Sequence, residues 1–510
     1  MSVRVDRLDL AIVLALAIAC GAVYAQAASF EFVGYDDEAH VTLNAVTQQG
    51  LDPAALGPAL RATVAANWHP VTQLSHMLDV ELFGLDAGGH HAVNLMLHVL
   101  ASALVFAFVR GATGSRWRSA MVAGLFAVHP LHVEVVAWVS QRKTLLCTVF
   151  GLGSTLAYLA YARSRRRRAL ALSVGLLTIG LLAKSMLVTL PVLFLLLDGW
   201  PLGRLRGPRD LGGLVREKWP LFVPVAGMAV VTIVAQRSSE AMAPLGAGSI
   251  FGVHLPNALL GYAWYIEKAL WPTHLAVHYP HPYLPLAGGV PPSALALVGA
   301  GALLAAIVGV ALATRNSRPW IAFGVAWGAI ALLPVIGLVQ VGSQAVADRY
   351  AYLSLIGPCV AVVWEANALR ERLRWPALVG AGVAMVVLGA QGVAAHRQAS
   401  YWRDSRTLYT RALEVSPRDL TLLFNMGNAE ALAERYGKAE GFYRRALEVN
   451  PASSPAQLNL AELLRKHGEP ADLAEAIGLY RSVLAARPAN FRATRGLRKA
   501  LVRTAELRSE

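Results

Sequence analysis

The chain has 510 residues, 55% of them hydrophobic and only 15% charged, and it carries a net charge of +14. Soluble globular domains average about 25% charged residues, so most of this chain belongs in lipid. Its Lys and Arg come in short runs between apolar segments, the pattern of cytoplasmic loops in a membrane protein, and this excludes nucleic acid as a partner.

At the N-terminus, Arg4 and Arg7, an apolar run over 8–23 and Ala25-Gln26-Ala27 fit either a cleavable signal peptide or an uncleaved first span. The run is close to the roughly 20 residues a bilayer needs, which favours the span. With it, apolar runs predict eleven spans, at 8–28, 92–110, 119–138, 144–162, 169–183, 186–200, 219–236, 293–314, 319–339, 351–369 and 376–395. The cations at 110–118, 163–168, 204–218, 315–318 and 370–374 all fall on the cytoplasmic side of that arrangement. The segment 257–272, rich in Tyr262, Trp264, Tyr265, Lys268 and Trp271, lies at the outer interface or re-enters. The outer side then receives the loop 29–90, the turns at Arg142-Lys143 and Lys184, the regions 237–292 and 340–350, and everything after 395. Cys20, Cys147 and Cys359 sit far apart in apolar stretches, without metal or disulfide spacing.

From about residue 400 the composition turns to charged, amphipathic helices with an internal repeat. The pattern Tyr409, Ala412, Leu413, Glu414, Pro417 returns as Tyr443, Ala446, Leu447, Glu448, Pro451, an offset of 34, and a third copy runs from Tyr480 to Pro488. This is the tetratricopeptide period, whose helix pairs stack into a solenoid with a concave binding surface. The expected fold class is all-α: a polytopic transmembrane domain over 1–395 and an extracytoplasmic solenoid of about three repeats over 396–510.

Polar residues crowd the first external loop and the spans that follow it. The acids Asp36, Asp37 and Glu38 come just after the first apolar run. They are followed by Asn67, His69, His76, Asp79, His90, His91, Asn94 and His98, then His129, His132, Glu134, Arg142 and Lys143, and far downstream by Asp348 and Arg349. His91, Asn94 and His98 share one helix face, and polar groups within a span usually line a cavity. His129 and His132 could pair with Glu134 on a metal, but Pro130 intervenes and structural histidines explain them better. Snorkelling anchors are the bland reading of Arg142, Lys143 and Arg349, and Lys184 reads as an anchor.

The strings DDEAH at 36–40, NWHPVTQLSHMLDVELFGLDAGGHHAVNLMLH at 67–98, AVHPLHVEVVAWVSQRK at 127–143 and ADRYAYL at 347–353 resemble the TMTC family, transmembrane and tetratricopeptide-repeat proteins whose animal members are O-mannosyltransferases. The family is similar to the GT-C glycosyltransferases, which take a sugar from a polyprenyl-phosphate carrier. The resemblance implies that an acid after the first span, Asp36 or Asp37, is catalytic. It departs from expectation at Thr144, where Asp or Asn would follow Arg142-Lys143, and in the shortness of the repeat array.

The chemistry asks for such a set independently. A hydroxyl attacking an anomeric carbon needs a carboxylate to take its proton, and the departing lipid phosphate needs fixed cations. Asp36 and Asp37 cannot point the same way, so one acts as base and the other binds a cation or orients the loop. Arg142, Lys143 and Arg349, with Glu38, Asp348 and His69, His76, His90, His91, His98, His129 and His132 around them, are the expected substrate-binding residues. The expected donor is a polyprenyl-phosphate-linked mannose or other hexose, and the expected acceptor is a hydroxyl of an exported protein held by the repeats. A divalent cation is the one cofactor the acids suggest. The Ala- and Arg-rich composition points to a bacterial inner membrane with a periplasmic site. Two competing readings are a membrane-anchored scaffold without turnover and a transporter, and the transporter lacks the repeated halves it should show.

Overall fold

The computed structural model describes residues 6–238, 250–339 and 342–509; Arg4, and the parts of the predicted loops that fall at 239–249 and 340–341, lie outside the described residues. A backbone in lipid must satisfy its own hydrogen bonds, and helices accordingly follow one another along nearly the whole chain. They are α1 (Arg7–Tyr24), α2 (Pro53–Arg61), α3 (Pro70–Phe83), α4 (Ala87–Thr113), α5 (Arg116–Val128), α6 (Val133–Ala137), α7 (Arg142–Ser164), α8 (Arg167–Ala183), α9 (Leu190–Gly199), α10 (Pro208–Glu217), α11 (Trp219–Ser238), α12 (Leu255–Leu270), α13 (Ala294–Ala313), α14 (Pro319–Leu332), α15 (Ala351–Ser354), α16 (Ile356–Arg372) and α17 (Ala377–Ser400), then α18 (Ser405–Val415), α19 (Leu420–Leu432), α20 (Tyr436–Val449), α21 (Ser454–His467), α22 (Asp472–Ala486) and α23 (Phe491–Ser509).

Five continuous helical runs are long and apolar enough to cross a membrane: Arg7–Ser29, Ala87–Thr113, Val139–Ser164, Ala294–Ala313 and Ala377–Ser400. Three bent pairs raise this to eight if each is one span: α5 with Pro130–Ala137 (54°), α10 with α11 (65°) and Asp348–Ser354 with α16 (59°). The protein is thus an almost wholly helical, multi-pass membrane protein, with one two-stranded sheet of Tyr279–Pro280 and Gln344–Val346. The predicted runs 169–183, 186–200 and 319–339 are helical but short, with α8 at 17 residues and α14 at 14. The run expected to reach 339 stops at Leu332, where Pro334 has no N–H to continue the ladder, although Leu333 before it keeps helical dihedrals. Pro130 breaks the 119–138 run in the same way, holding His129 in an extended conformation.

The chain divides into two compact units. The first comprises 1–275, 293–342 and 346–404. Within it α7 and α8 meet through small residues: Ser154 Oγ donates to the Ser173 carbonyl at 2.7 Å, and Leu187 occupies the space a side chain on Gly151 or Gly180 would need. The second comprises 276–292, 343–345 and 405–510. There α18 to α23 pack in sequence, each on the next. The repeated tyrosines Tyr409, Tyr443 and Tyr480 are all buried, and the rings of Tyr443 and Tyr480 lie flush on Gly427 and Gly496. Two short segments from between the apolar helices complete this unit, anchored by His278 Nδ1 against Asp419 Oδ2 and His278 Nε2 against Ser343 Oγ at 3.1 Å.

Candidate active site

The acidic motif follows α1 as an irregular loop, and its two aspartates have different surroundings. Asp37 is 1% exposed. Its Oδ2 accepts from the Val33 backbone N–H at 3.0 Å, and its Oδ1 accepts from both the backbone N–H (2.9 Å) and the hydroxyl of Ser140. Burial outweighs those three donors and pushes the Asp37 carboxyl up to about 7. Asp36 is half-buried, with a positive φ of 70° that turns the chain between Tyr35 and Asp37. No hydrogen bond or ion pair to its carboxylate is present among the described residues, yet it is the leading acid acting electrostatically on the Lys143 ammonium. Glu38 is exposed.

Trp138 organises the cations. Its indole N–H donates to the Tyr35 carbonyl at 2.9 Å, next to Asp36. Arg349 lies 5.6 Å from its ring centroid and Lys143 5.9 Å, and Trp402 stacks on it at 5.7 Å. Glu134 grips Arg349 twice, through Nη1 at 2.6 Å and the backbone N–H at 2.7 Å. A third cation, Lys184, donates to Thr144 Oγ1 at 2.8 Å and sits 5.9 Å from the Tyr350 ring. Burial, then the charges of Lys143 and Arg349, bring the Lys184 ammonium down to about 7. Thr144, where the resemblance implies a carboxylate or amide, donates its hydroxyl hydrogen bond to Gln141 Oε1 at 2.8 Å. Asp348, beside Arg349, is buried.

His40 and His69 close one side. The His40 Nε2 lies 3.5 Å from the Lys143 ammonium. Burial and the charge of Lys143 hold His40 well below the ordinary histidine range, and burial with Lys143 and Lys184 brings His69 down to about 3, so both rings are neutral. Between them is a small recess of about 10 Å³ lined by His40, Ala62, Val64, Asn67, His69, Thr72 and Gln73.

Several predicted substrate-binding residues are instead occupied in holding the helices together. Arg142 is fully buried, and its guanidinium donates to Asn94 Oδ1 (2.6 Å), Ser75 Oγ (2.9 Å) and the His90 carbonyl (2.9 Å) and pairs with Asp79 at 2.7 Å. It clamps α3, α4 and α7. His98 spends both nitrogens, on Tyr352 Oη at 2.7 Å and the Ala127 carbonyl at 2.9 Å. His129 likewise meets the Ala269 carbonyl at 3.1 Å and the Leu131 backbone N–H at 3.2 Å. His132 bonds the Phe126 carbonyl at 2.7 Å and packs edge-on against Tyr352, and His91 reaches the Glu31 carbonyl at 3.4 Å. With Glu134 given to Arg349, the group His129, His132 and Glu134 is no metal centre. The only set of three potential ligands close together among the described residues is His76, Asp79 and His90.

Trp138, Ser140 and Lys184 are the site residues that sequence reasoning missed. Ser140 and Trp138 stand within the run 127–143 and carry no local signal of a site role. Lys184 was seen and set aside as an anchor.

No protein-family model matches the chain. It is 25% identical over 490 residues to Protein O-mannosyl-transferase Tmtc1 of Drosophila melanogaster, covering 77% of this chain and 55% of that protein. Over 413 residues it is 26% identical to Protein O-mannosyl-transferase TMTC4 of Homo sapiens, covering 71% and 55%. A shorter stretch of 139 residues is 37% identical to Protein O-mannosyl-transferase Tmtc2 of Drosophila melanogaster, covering 26% of this chain and 15% of that protein. The chain thus spans about half the length of the curated relatives it matches. Similarity at 23–26% identity over most of this chain recurs among several TMTC O-mannosyl-transferases and supports a TMTC-type family.

Proposed function

We propose that this protein is a membrane glycosyltransferase of the GT-C type, moving a hexose, mannose in the first instance, from a polyprenyl-phosphate carrier to a Ser or Thr hydroxyl of an exported protein. The observation that carries the reading is the gathering of one carboxylate without a partner among the described residues, Asp36, with Lys143 and Arg349 over Trp138 and Lys184 near Tyr350. Only Arg349 among those cations is paired with a carboxylate, so the cluster is short of negative charge. That is the electrostatic setting a phosphate fills.

In this reading the acceptor hydroxyl oxygen attacks the sugar C1 while Asp36 takes its proton. The bond from C1 to the phosphate oxygen breaks, and configuration inverts. The electron pair leaves with the polyprenyl phosphate, whose charge Lys143, Lys184 and Arg349 meet. Asp37 is a positioning residue, tying the motif to Ser140 and so to the start of α7. His40 and His69, both neutral, flank the cations, with His40 beside Lys143. The short helices join the longer ones to make eleven spans, with the acidic motif and a tetratricopeptide solenoid on the periplasmic side of a bacterial inner membrane, and the solenoid presents the acceptor.

The test uses the purified full chain, polyprenyl-phosphate-mannose and a Ser/Thr-rich peptide. Asp36→Asn is expected to lower turnover by about 10²–10⁴-fold, the worth of a general base, with an unchanged Tm. Undiminished turnover in that variant overturns the assignment of Asp36, and a wild-type chain that never consumes the donor leaves the scaffold reading in its place.

A further inference from the structure

His76 is fully buried, and neither of its ring nitrogens has a hydrogen-bond partner. A neutral imidazole carries one N–H and one lone pair, and burying both unsatisfied is unfavourable unless something not present in the polypeptide completes the site. The neighbours of His76 make the case sharper. Asp79 lies one helical turn away on the same face of α3. His90 comes from the first turn of α4, and the ligand atoms of all three lie within 4.8 Å of one another.

His90 shows which atoms face the centre. Its Nε2 is 3.1 Å from the Gly84 carbonyl, which can only accept, so Nε2 bears the proton. In the neutral ring Nδ1 then has a lone pair, and Nδ1 lies 3.4 Å from Asp79 Oδ2 without a hydrogen bond to it. Two acceptors this close in a buried site repel; a cation between them converts the repulsion into ligation. The separation matches as well, because metal–ligand bonds of 2.0–2.1 Å in a tetrahedron set neighbouring ligand atoms about 3.4 Å apart. A ligating histidine that donates its other N–H to a backbone carbonyl is the usual arrangement around such ions.

We propose that His76, Asp79 and His90 form a binding site for one divalent transition-metal ion of the zinc class, which fastens α3 to the first turn of α4. Two imidazoles and a carboxylate suit zinc and its neighbours better than magnesium or calcium, which prefer all-oxygen surroundings. Arg142 shares Asp79 with the ion, pairing with the same oxygen at 2.7 Å, and donates to the His90 carbonyl. That shared charge weakens the site, so occupancy follows metal supply. The His40 ring lies 5.9 Å from His76 and turns its Nε2 to Lys143, so the ion also steadies one wall of the recess. This proposal stands apart from the glycosyltransferase reading.

The purified full chain, stripped with EDTA and dialysed, is titrated with Zn²⁺ alone while bound metal is measured by mass spectrometry and Tm by intrinsic fluorescence. Wild type is expected to take up one ion per chain with a Tm rise of at least about 2 °C. His76→Leu removes a ligand without breaking any hydrogen bond, so it is expected to fold, to lose the ion, and in the stripped state to melt no lower than wild type. His90→Gln, which keeps a donor for the Gly84 carbonyl, is expected to lose the ion too and serves if His76→Leu fails to fold. Wild type that binds no Zn²⁺, or variants that bind as much as wild type, overturn the site.

Discussion

Adjacent in sequence, Asp36 and Asp37 are separated in role by what reaches them from 103 residues downstream. Ser140 saturates one oxygen of Asp37 and leaves Asp36 untouched. An acid raised from 3.8 to about 7 holds a proton in the folded chain that the unfolded chain has released. Its contribution to stability is therefore greatest near pH 4 and is lost as pH rises through 7. We expect Tm to fall between pH 5 and pH 8, and Asp37→Asn to flatten that slope. The same variant should lower stability by about 1–3 kcal/mol throughout, because its amide N–H₂ meets the Val33 or Ser140 N–H donor to donor; an unchanged slope would show that Asp37 does not titrate in this range. Lys184 gives a second pH signature. A cation near 7 loses its charge as the solution turns alkaline, so KM for the phosphate-linked donor should rise above pH 7. Lys184→Arg, always charged, should remove that rise; an identical pH profile in the variant would take Lys184 out of the donor site. The acids, Lys143 and Arg349 stand out in sequence as candidates because charged residues next to apolar runs are rare. The different surroundings of Asp36 and Asp37 do not show there, since they depend on a serine that carries no local signal. Arg142 shows a related limit: an arginine that four groups on α3 and α4 satisfy looks, in one dimension, like one waiting for a phosphate.

Elements show the same limit in another form. Hydropathy located the apolar runs, but proline decided where they bend or stop, as at Pro130 and after Leu332. The glycines at the start of α4 are a case where a close approach explains the residue. A side chain on Gly88 would meet the Ala28 carbonyl oxygen at 2.4 Å, and one on Gly89 would meet the Phe83 ring at 2.4 Å. The Gly89 approach lets the first turn of α4 sit against the end of α3, and the Gly88 approach sets it against Ala28 after α1; this turn carries the His90 carbonyl that Arg142 meets. Gly88→Ala has a backbone atom to displace and Gly89→Ala a side chain, so both should destabilise, Gly88→Ala more, by about 1–3 kcal/mol. Denaturant melts of the two variants rank them; equal stability to wild type would mean that the approach is looser than described.

For the molecule as a whole, the break in composition near residue 400 and the 34-residue repeat announced a second region, and the compact unit that begins at Ser405 lies there. What composition could not announce is that this unit also takes in 276–292 and 343–345. The join rests on Asp419, which caps α19 through the backbone N–H groups of Thr421 (2.9 Å) and Leu422 (3.2 Å) with one oxygen and meets buried His278 with the other. Gly288, at φ +93°, lies so close that a Cβ there would fall 2.0 Å from the Arg418 carbonyl oxygen. Asp419→Ala removes the cap, worth about 1 kcal/mol, and also strands His278. Asp419→Asn retains an acceptor for the cap and an amide for the imidazole. Limited proteolysis should therefore cut 276–292 faster in Asp419→Ala than in wild type, with Asp419→Asn in between. If both variants resist cleavage as wild type does, the segment is held by its other contacts, the Gly288 approach among them, and Asp419 serves α19 alone.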